Sequence, residues 1–159
     1  LFGDATAACV LTGQPTTASI RLRDIVLATS CTGGDLLRPQ HEPGRGVTLH
    51  MDGVPLAQRA VRIMADTVRQ MSQRNGLMWN NLAAVVAHGG NGRMPALLAR
   101  RLSLPAERVW SETARMGNLG SASLPVAWAS HAGPIITPAI WTAVGAGLQW
   151  GAALFDAPT

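Results

Sequence analysis

The chain contains no lysine and no tyrosine, and it carries few charges of either sign. All thirteen basic residues among its 159 are arginines, and most are spread along the chain without interleaved aromatic side chains. Nucleic-acid-binding domains usually carry a dense basic patch. The formal net charge is only +4, so the composition does not favour a nucleic-acid partner.

Other scarce features exclude further classes of protein. Cys9 and Cys31 fit no metal-ligand spacing and are too few for a disulfide framework, which favours a reducing cytoplasm. Apolar runs such as 82–87 and 139–144 are too short to span a bilayer. The content of 47% hydrophobic and 14% charged residues is typical of a folded domain. Residues 1–5 resemble the middle of a strand, so we expect a piece of a longer protein.

Apolar periodicity predicts a mixed sheet covered by helices, an α/β layered fold. Residues 5–11 and 19–29 are β-like and would form an antiparallel pair across a turn at 13–15, followed by a loop rich in Gly and Pro at 31–46. The other predicted strands are 47–51, 82–87, 108–110, 139–144 and 148–155, and the predicted helices are 55–74, 92–102 and 120–131.

His88 follows a buried apolar strand, and Gly89, Gly90 and Asn91 then open a predicted helix. Ligands of open α/β sheets bind at the carboxyl ends of strands. The glycine pair would let backbone and ligand approach closely, and Asn91 would cap the helix. The helix N-terminus disfavours a protonated imidazole, which predicts a neutral hydrogen-bond donor. A histidine that merely packs at a strand end explains the pattern equally well.

Asn118 offers a second neutral donor. It follows Gly117 and precedes a predicted helix, which by itself is typical of a helix cap. Two neutral donors directed at one oxygen form an oxyanion hole. A His and an Asn suit a thioester enolate, because they stabilise negative charge without donating a full proton.

Five motifs in this order resemble the C-terminal half of β-ketoacyl-acyl-carrier-protein synthase III, a condensing enzyme of the thiolase superfamily. They are Leu1-Phe2-Gly3-Asp4-Ala5, Met51-Asp52-Gly53, His88-Gly89-Gly90-Asn91, Gly117-Asn118-Leu119-Gly120-Ser121-Ala122-Ser123 and Gly145-Ala146-Gly147-Leu148-Gln149-Trp150-Gly151. The resemblance covers nearly the whole chain. It implies a thiolase-like layered α/β fold in which residues 1–159 form the C-terminal domain, with a mixed five-stranded sheet covered by helices.

The resemblance also implies an activity. An acyl group from acyl-CoA would undergo decarboxylative Claisen condensation with malonyl-acyl-carrier-protein, as in the initiation of fatty-acid or polyketide chains. His88 and Asn118 would be the catalytic His and Asn, and the nucleophilic cysteine would lie in an N-terminal half. Cys9, in a predicted core strand, and Cys31 match no nucleophile position.

Substrates and partners follow from the same resemblance. It implies acyl-CoA and a phosphopantetheinyl carrier protein as substrates, and no metal or permanently bound cofactor. The implied partners are the cysteine-bearing N-terminal half, the acyl carrier protein and a second copy of the full enzyme, in the cytoplasm, with no nucleic acid or membrane partner. Without the N-terminal half we expect the chain to be inactive, and either to associate with that half or to be poorly soluble.

A short segment and the helix after it match the family's docking region for the carrier protein and coenzyme A. Arg93 and Arg100 are seven residues apart and would share a helix face. Arginines there could form charge-assisted bonds with acidic side chains or a phosphate. A solvated charged face is the alternative. The implied binding residues are Gly89, Gly90, Asn91, Gly92, Arg93, Arg100 and Arg101.

The chain departs from the family pattern in three places. Gly89 and Gly90 stand where the family commonly has Gln-Ala, and Val54 replaces a residue that is often polar. The region 128–138 is compact where the family often has a longer connection. Two other functions therefore stay open: acyl transfer to a small alcohol or amine without condensation, and a non-catalytic partner half. The presence of both His88 and Asn118 argues against the second.

Overall fold

A computed structural model describes residues 2–14, 20–131 and 136–157. The strands are β1 (Arg21–Thr29), β2 (Leu37–Glu42), β3 (Gly46–Met51), β4 (Ala84–Ala87), β5 (Val109–Trp110), β6 (Ala139–Gly145) and β7 (Gln149–Asp156). The α-helices are α1 (Gly53–Arg74), α2 (Met94–Leu102), α3 (Thr113–Met116) and α4 (Ser123–Ser130), with 3-10 turns at Gly34–Leu36, Trp79–Asn81, Ala106–Arg108 and Gly120–Ala122.

Five of the strands form one mixed sheet in the order β1-β7-β6-β4-β5. β4 runs parallel to both of its neighbours, β6 and β5, whereas β7 is antiparallel to β6 and to β1. β2 and β3 form a separate antiparallel hairpin. The predicted mixed five-stranded sheet is therefore confirmed, as is the predicted hairpin between β6 and β7.

β4 is buried along its whole length because helices cover both faces of the sheet. Val85 and Ala87 pack into a core formed with α1 and α2, whereas Ala84 and Val86 pack with α4 and Trp110 on the other face. This alternation follows from the two-residue period of a strand. It also assigns the next residue, His88, to the α4 side of the sheet.

α1 supplies much of the larger core. Its buried apolar residues recur every three or four positions, as the helical period requires for one face. The helix ends where the Asn75 side chain donates to the carbonyl of Met71, 3.0 Å away, and where Gly76 adopts a φ of +68°. The buried apolar residues of α1 are Ala60, Val61, Met64, Ala65, Val68 and Met71.

One strand prediction and one loop prediction near the N-terminus were wrong. Residues 5–11 form no strand, and Val10 and Leu11 are 91% and 80% exposed. β1 pairs with β7 instead, from a segment more than a hundred residues away, which local periodicity cannot reveal. The expected loop at 31–46 contains β2, whose central Pro39 hides the strand from propensity, because proline cannot donate to a ladder. Pro15, in the expected turn, lies outside the described residues.

The predicted helices are confirmed with shifted starts. The helix expected from residue 92 begins at Met94, and the one expected over 120–131 begins as the 3-10 turn before α4. The short helix α3 was not predicted, because four residues are too few for a helical period to be recognised. No helix in the described ranges is long and apolar enough to cross a membrane.

Candidate active site

His88 is fixed by the backbone of the sheet. Its N–H donates to the carbonyl of Thr142 at 2.9 Å, so the parallel ladder between β4 and β6 extends one residue beyond β4. The side chain lies on the α4 side, as strand alternation requires, with Nδ1 3.0 Å from Oγ of Ser123. Ser123 is buried and donates its hydroxyl proton to the carbonyl of Gly120 at 2.7 Å. Nε2 is therefore the ring nitrogen left for a ligand.

Burial lowers the pKa of His88 below the ordinary histidine value. Removing a charged group from water disfavours its charged form, so the imidazole is neutral over more of the physiological pH range. The direction is the one that the sequence predicted, and its cause in the structure is burial of the ring. The α2 helix begins only at Met94, beyond an intervening turn, and desolvation is the effect that acts on the ring.

Asn118 is held by its side chain and by its backbone. Its Oδ1 accepts the N–H of Gly120 at 2.9 Å, which leaves the two Nδ2 protons to donate elsewhere. Its carbonyl accepts the N–H of Gly3 at 3.1 Å, in a short parallel bridge with the N-terminal segment. A Cβ at Gly3 would collide with the carbonyl of Met116, so this close approach requires glycine.

Gly120 connects the two candidate donors. Its N–H fixes the carboxamide of Asn118, and its carbonyl fixes the hydroxyl of Ser123, which in turn contacts His88. Gly120 has a φ of +57°, while a Cβ built there would meet nothing within 4 Å. The glycine is thus required by backbone conformation and not by space.

His88 lies in the wall between two cavities. One, of about 640 Å³, extends from the β2–β3 hairpin and the start of α1 to the loop that precedes α2, and Asn118 lines it too. The other, of about 740 Å³, lies against β1, β7 and the turn before α4. The structure thus brings the two predicted catalytic residues together on the first cavity. The Met51-Asp52-Gly53 motif lines that cavity as well.

The residues predicted to bind the carrier protein or coenzyme A separate into two groups. Gly90, Asn91 and Arg93 line the cavity that His88 and Asn118 share. Arg100 and Arg101 line an adjacent basic groove with two arginines of α1. Arg93 occupies the cap position of α2 and not its interior, so the expected shared helix face with Arg100 is only approximate.

Asn91 is not the cap that the sequence predicted. Its Oδ1 accepts the N–H of Arg93 at 3.0 Å and its carbonyl accepts the N–H of Met94 at 3.2 Å. These bonds form a turn that delays the helix by two residues. Pro95 stands in the first helical turn, where its missing N–H costs nothing.

Gly89 and Gly92 pack against protein and line neither cavity. The carbonyl of Gly89 accepts the hydroxyl proton of Thr113 at 2.8 Å, and a Cβ built on Gly89 would lie 2.5 Å from that hydroxyl oxygen. A Cβ on Gly92 would lie 3.3 Å from Cα of Ala114. Of the glycine pair, Gly89 therefore permits close packing against Thr113, and only Gly90 is open to the cavity.

Neither cysteine is placed to act in the cavities. Cys9 and Cys31 are exposed, and neither lines a cavity that contains His88. The expectation that Cys9 packs in a core strand was wrong, because its segment forms no strand. In the described ranges, no three His, Cys, Asp or Glu side chains are grouped so that they could hold a metal ion.

Residues 72–157 match the family described as 3-oxoacyl-[acyl-carrier-protein] synthase III C terminal, which is more than half of the chain. The chain belongs to this family. It is 33% identical over 168 residues to the β-ketoacyl-[acyl-carrier-protein] synthase III of Nitratidesulfovibrio vulgaris, covering 97% of this chain and 50% of that protein. It is 34% identical over 162 residues to the synthase III of Pseudomonas aeruginosa PAO1, covering 95% of this chain and 49% of that protein.

Two solved structures illustrate the shared fold. The 3-oxoacyl-(acyl carrier protein) synthase III of Pseudomonas aeruginosa PAO1 superposes with a TM-score of 0.76 at 33% identity, over 87% of this chain and 44% of that one. The priming β-ketosynthase of the R1128 polyketide pathway gives a TM-score of 0.73 at 27% identity, over 86% and 45%. The thiolase-like fold is thus shown, and the chain spans about half the length of the relatives it matches.

The packing of Gly89 gives a stability prediction for a position at which this chain departs from the synthase III pattern. Gly89→Ala should lower the free energy of unfolding by about 1–3 kcal/mol, because Thr113 has to move away from its hydrogen bond. Gly90→Ala is the matched control, since its Cβ would lie 3.4 Å from Sδ of Met94, an ordinary contact. Urea unfolding of both variants checks this, and equal losses would contradict it.

Proposed function

We propose that this chain supplies the His/Asn half of the active site of a β-ketoacyl-acyl-carrier-protein synthase III. The observation that carries the proposal is that His88 and Asn118 line one cavity, each with one polar atom held within the Gly120–Ser123 turn. The remaining polar atoms, Nε2 and Nδ2, are available to one ligand oxygen. Two hydrogen-bond donors directed at that oxygen would stabilise the negative charge that develops on it during a reaction.

The proposed reaction places that charge on a thioester oxygen. Cleavage of the bond between the malonyl carboxylate and Cα releases CO₂, and the electron pair becomes an enolate whose negative charge lies largely on the thioester oxygen. His88 and Asn118 hold this oxygen. The enolate carbon then attacks the acyl thioester on a cysteine, a carbon–carbon bond forms, and the cysteine thiolate leaves.

The acyl-carrying cysteine is proposed to come from another part of the complete protein. Cys9 and Cys31 lie outside both cavities, and the relatives are about twice as long as this chain. The cavity beside β1 and β7 also contains His88, so a cysteine-bearing half packed there would face the ring. We accordingly propose acyl-CoA and malonyl-acyl-carrier-protein as substrates, a homodimer of the full enzyme, and no activity from this chain alone.

Three arginines lie on or next to the cavity that contains His88. Arg93 is exposed on the cavity that contains His88, and in the described ranges no carboxylate forms an ion pair with its side chain. Arg100 and Arg101 continue the basic surface in the next groove, and Leu97 lines both. This arrangement suits an acidic carrier protein and the phosphate of its pantetheine arm.

The proposal predicts loss of malonyl decarboxylation when either donor is removed. In the complete protein, or in this chain supplied with the cysteine-bearing half of the Pseudomonas aeruginosa relative, His88→Ala and Asn118→Ala should each lower kcat by about 10²–10³-fold. His50→Ala, at an exposed position on β3 that lines neither cavity, should leave it unchanged. Release of labelled CO₂ measures the rate.

Measuring acyl transfer to an alcohol or amine alongside CO₂ release separates the three functions. Undiminished CO₂ release from His88→Ala would contradict the proposal. Acyl transfer to an alcohol or amine without CO₂ release would select the related acyltransferase. A wild-type complex that releases no CO₂ and transfers no acyl group would select the non-catalytic partner half.

Docking through Arg93 gives a second prediction. Arg93→Ala should raise KM for malonyl-acyl-carrier-protein several-fold and leave kcat nearly unchanged, because the lost charge–charge contacts contribute to binding and not to the chemical step. Arg74→Ala is the control, since Arg74 is the last residue of α1 and lies roughly 20 Å along the helix from Ala60, which lines the cavity. Steady-state kinetics with varied carrier protein checks this, and an equal effect of both variants would contradict it.

A further inference from the structure

Ser123 contacts His88 from the buried side of the site. It is the first residue of α4, it is only 5% exposed, and its Oγ lies 3.0 Å from Nδ1 of His88 and 2.7 Å from the carbonyl oxygen of Gly120. In the sequence, Ser123 stands out only as the last residue of the Gly117–Ser123 motif. Its position behind the ring indicates that it acts through His88 and not on a ligand.

The protons available to Ser123 and His88 determine the direction of the two hydrogen bonds that Ser123 Oγ forms. A serine hydroxyl has one proton, and a carbonyl oxygen can only accept. Because Ser123 donates to Gly120, its Oγ has only lone pairs left for His88, and Nδ1 must carry the proton of that bond. A neutral imidazole has one N–H, so Nε2 then faces the cavity as an acceptor.

We propose that Ser123 is a positioning residue that sets which ring nitrogen of His88 carries the proton. This inference rests on the proposed function, in which Nε2 must donate to an oxygen. In the switch Nε2 takes up a proton from the solvent in the cavity, the transient imidazolium then loses the Nδ1 proton to solvent, and the hydroxyl of Ser123 turns from the carbonyl of Gly120 to donate to Nδ1. The number of protons on the ring is unchanged, and no heavy atom has to move.

The two orientations of the Ser123 hydroxyl give Nε2 of His88 opposite hydrogen-bonding roles. With the hydroxyl on Gly120, Nε2 is an acceptor and binds no oxyanion. With the hydroxyl on Nδ1, Nε2 is a donor, and a negative oxygen in the cavity stabilises that state. The carbonyl of Gly120 loses one hydrogen bond in the change. The ligand therefore has to compensate for a single bond, which an enolate oxygen can do.

His131 provides an internal reference for the test. Its Nδ1 lies 2.8 Å from the carbonyl oxygen of Ala127, and a carbonyl cannot donate, so Nδ1 of His131 is the protonated nitrogen. His88 and His131 should therefore show the same pattern in a long-range proton–nitrogen correlation spectrum of ¹⁵N-histidine-labelled protein. The measurement is made without substrate at a pH of about 8, above the ordinary histidine pKa.

The wild-type spectrum decides the resting state. A proton on Nδ1 of His88, with an unprotonated Nε2, is the expected result. A proton on Nε2 of the substrate-free protein would overturn the proposal. This readout needs no turnover, so it stays valid even if His88→Ala spares CO₂ release and the proposed function fails.

Three variants test the role of the hydroxyl. Ser123→Ala should change the His88 pattern, leave that of His131 intact and lower kcat for malonyl decarboxylation about tenfold, with KM nearly constant. Ser123→Thr keeps a hydroxyl and should restore both the pattern and most of the rate. Ser130→Ala, an exposed position on α4, should change neither.

An unchanged His88 pattern in Ser123→Ala would overturn the proposal, as would a rate equal to that of wild type. Thermal unfolding of each variant identifies a loss of structure. Should Ser123→Ala fail to fold, the wild-type and Ser123→Thr spectra decide, because both must show Nδ1 protonated.

Discussion

The N–H of His88 donates to the carbonyl of Thr142, and this bond ends the parallel pairing of β4 with β6. β4 lies between two parallel neighbours with helices on both faces, so its backbone has little freedom to move. The backbone of His88 is held in place as well, because His88 directly follows β4. The alternation of side chains along the strand then directs the imidazole towards α4. There Oγ of Ser123 lies within hydrogen-bond distance of Nδ1 of His88. Everything proposed for the site depends on this placement.

The turn at Gly120 adds the second constraint. Without it, the side chains of His88 and Asn118 would be held by unrelated parts of the chain. One peptide group bonds the carboxamide directly, and the adjoining carbonyl holds the serine behind the imidazole. A change in this turn would therefore alter both donors together. The N-terminal segment supports the same loop, since Gly3 bonds the backbone of Asn118.

Much of the fold and part of the site could be predicted from the sequence. Buried runs and helical periods identified β4, β6, β7, α1 and α2, because these patterns are local. The pairing of β1 with β7 was missed, since long-range pairing leaves no local trace. β2 was missed because Pro39 weakens its strand signal.

At the site, too, features with a local sequence pattern could be predicted, and contacts between distant residues could not. His88 and Asn118 could be named because each stands beside a glycine at the end of an element. The contact with Ser123 could not, although the alternation along β4 already assigned His88 to that face. Gly89 was expected to serve a ligand, whereas the structure shows that Thr113 occupies the space a side chain would need.

The central claim is that His88 and Asn118 act on one oxygen, and a double-mutant cycle tests it most directly. Malonyl decarboxylation is measured for wild type, His88→Ala, Asn118→Ala and the double variant in the complete protein. Residues that act as a unit are not additive, so the double variant should be little slower than the slower single variant. A double variant whose loss in rate equals the product of the two single losses would contradict the claim.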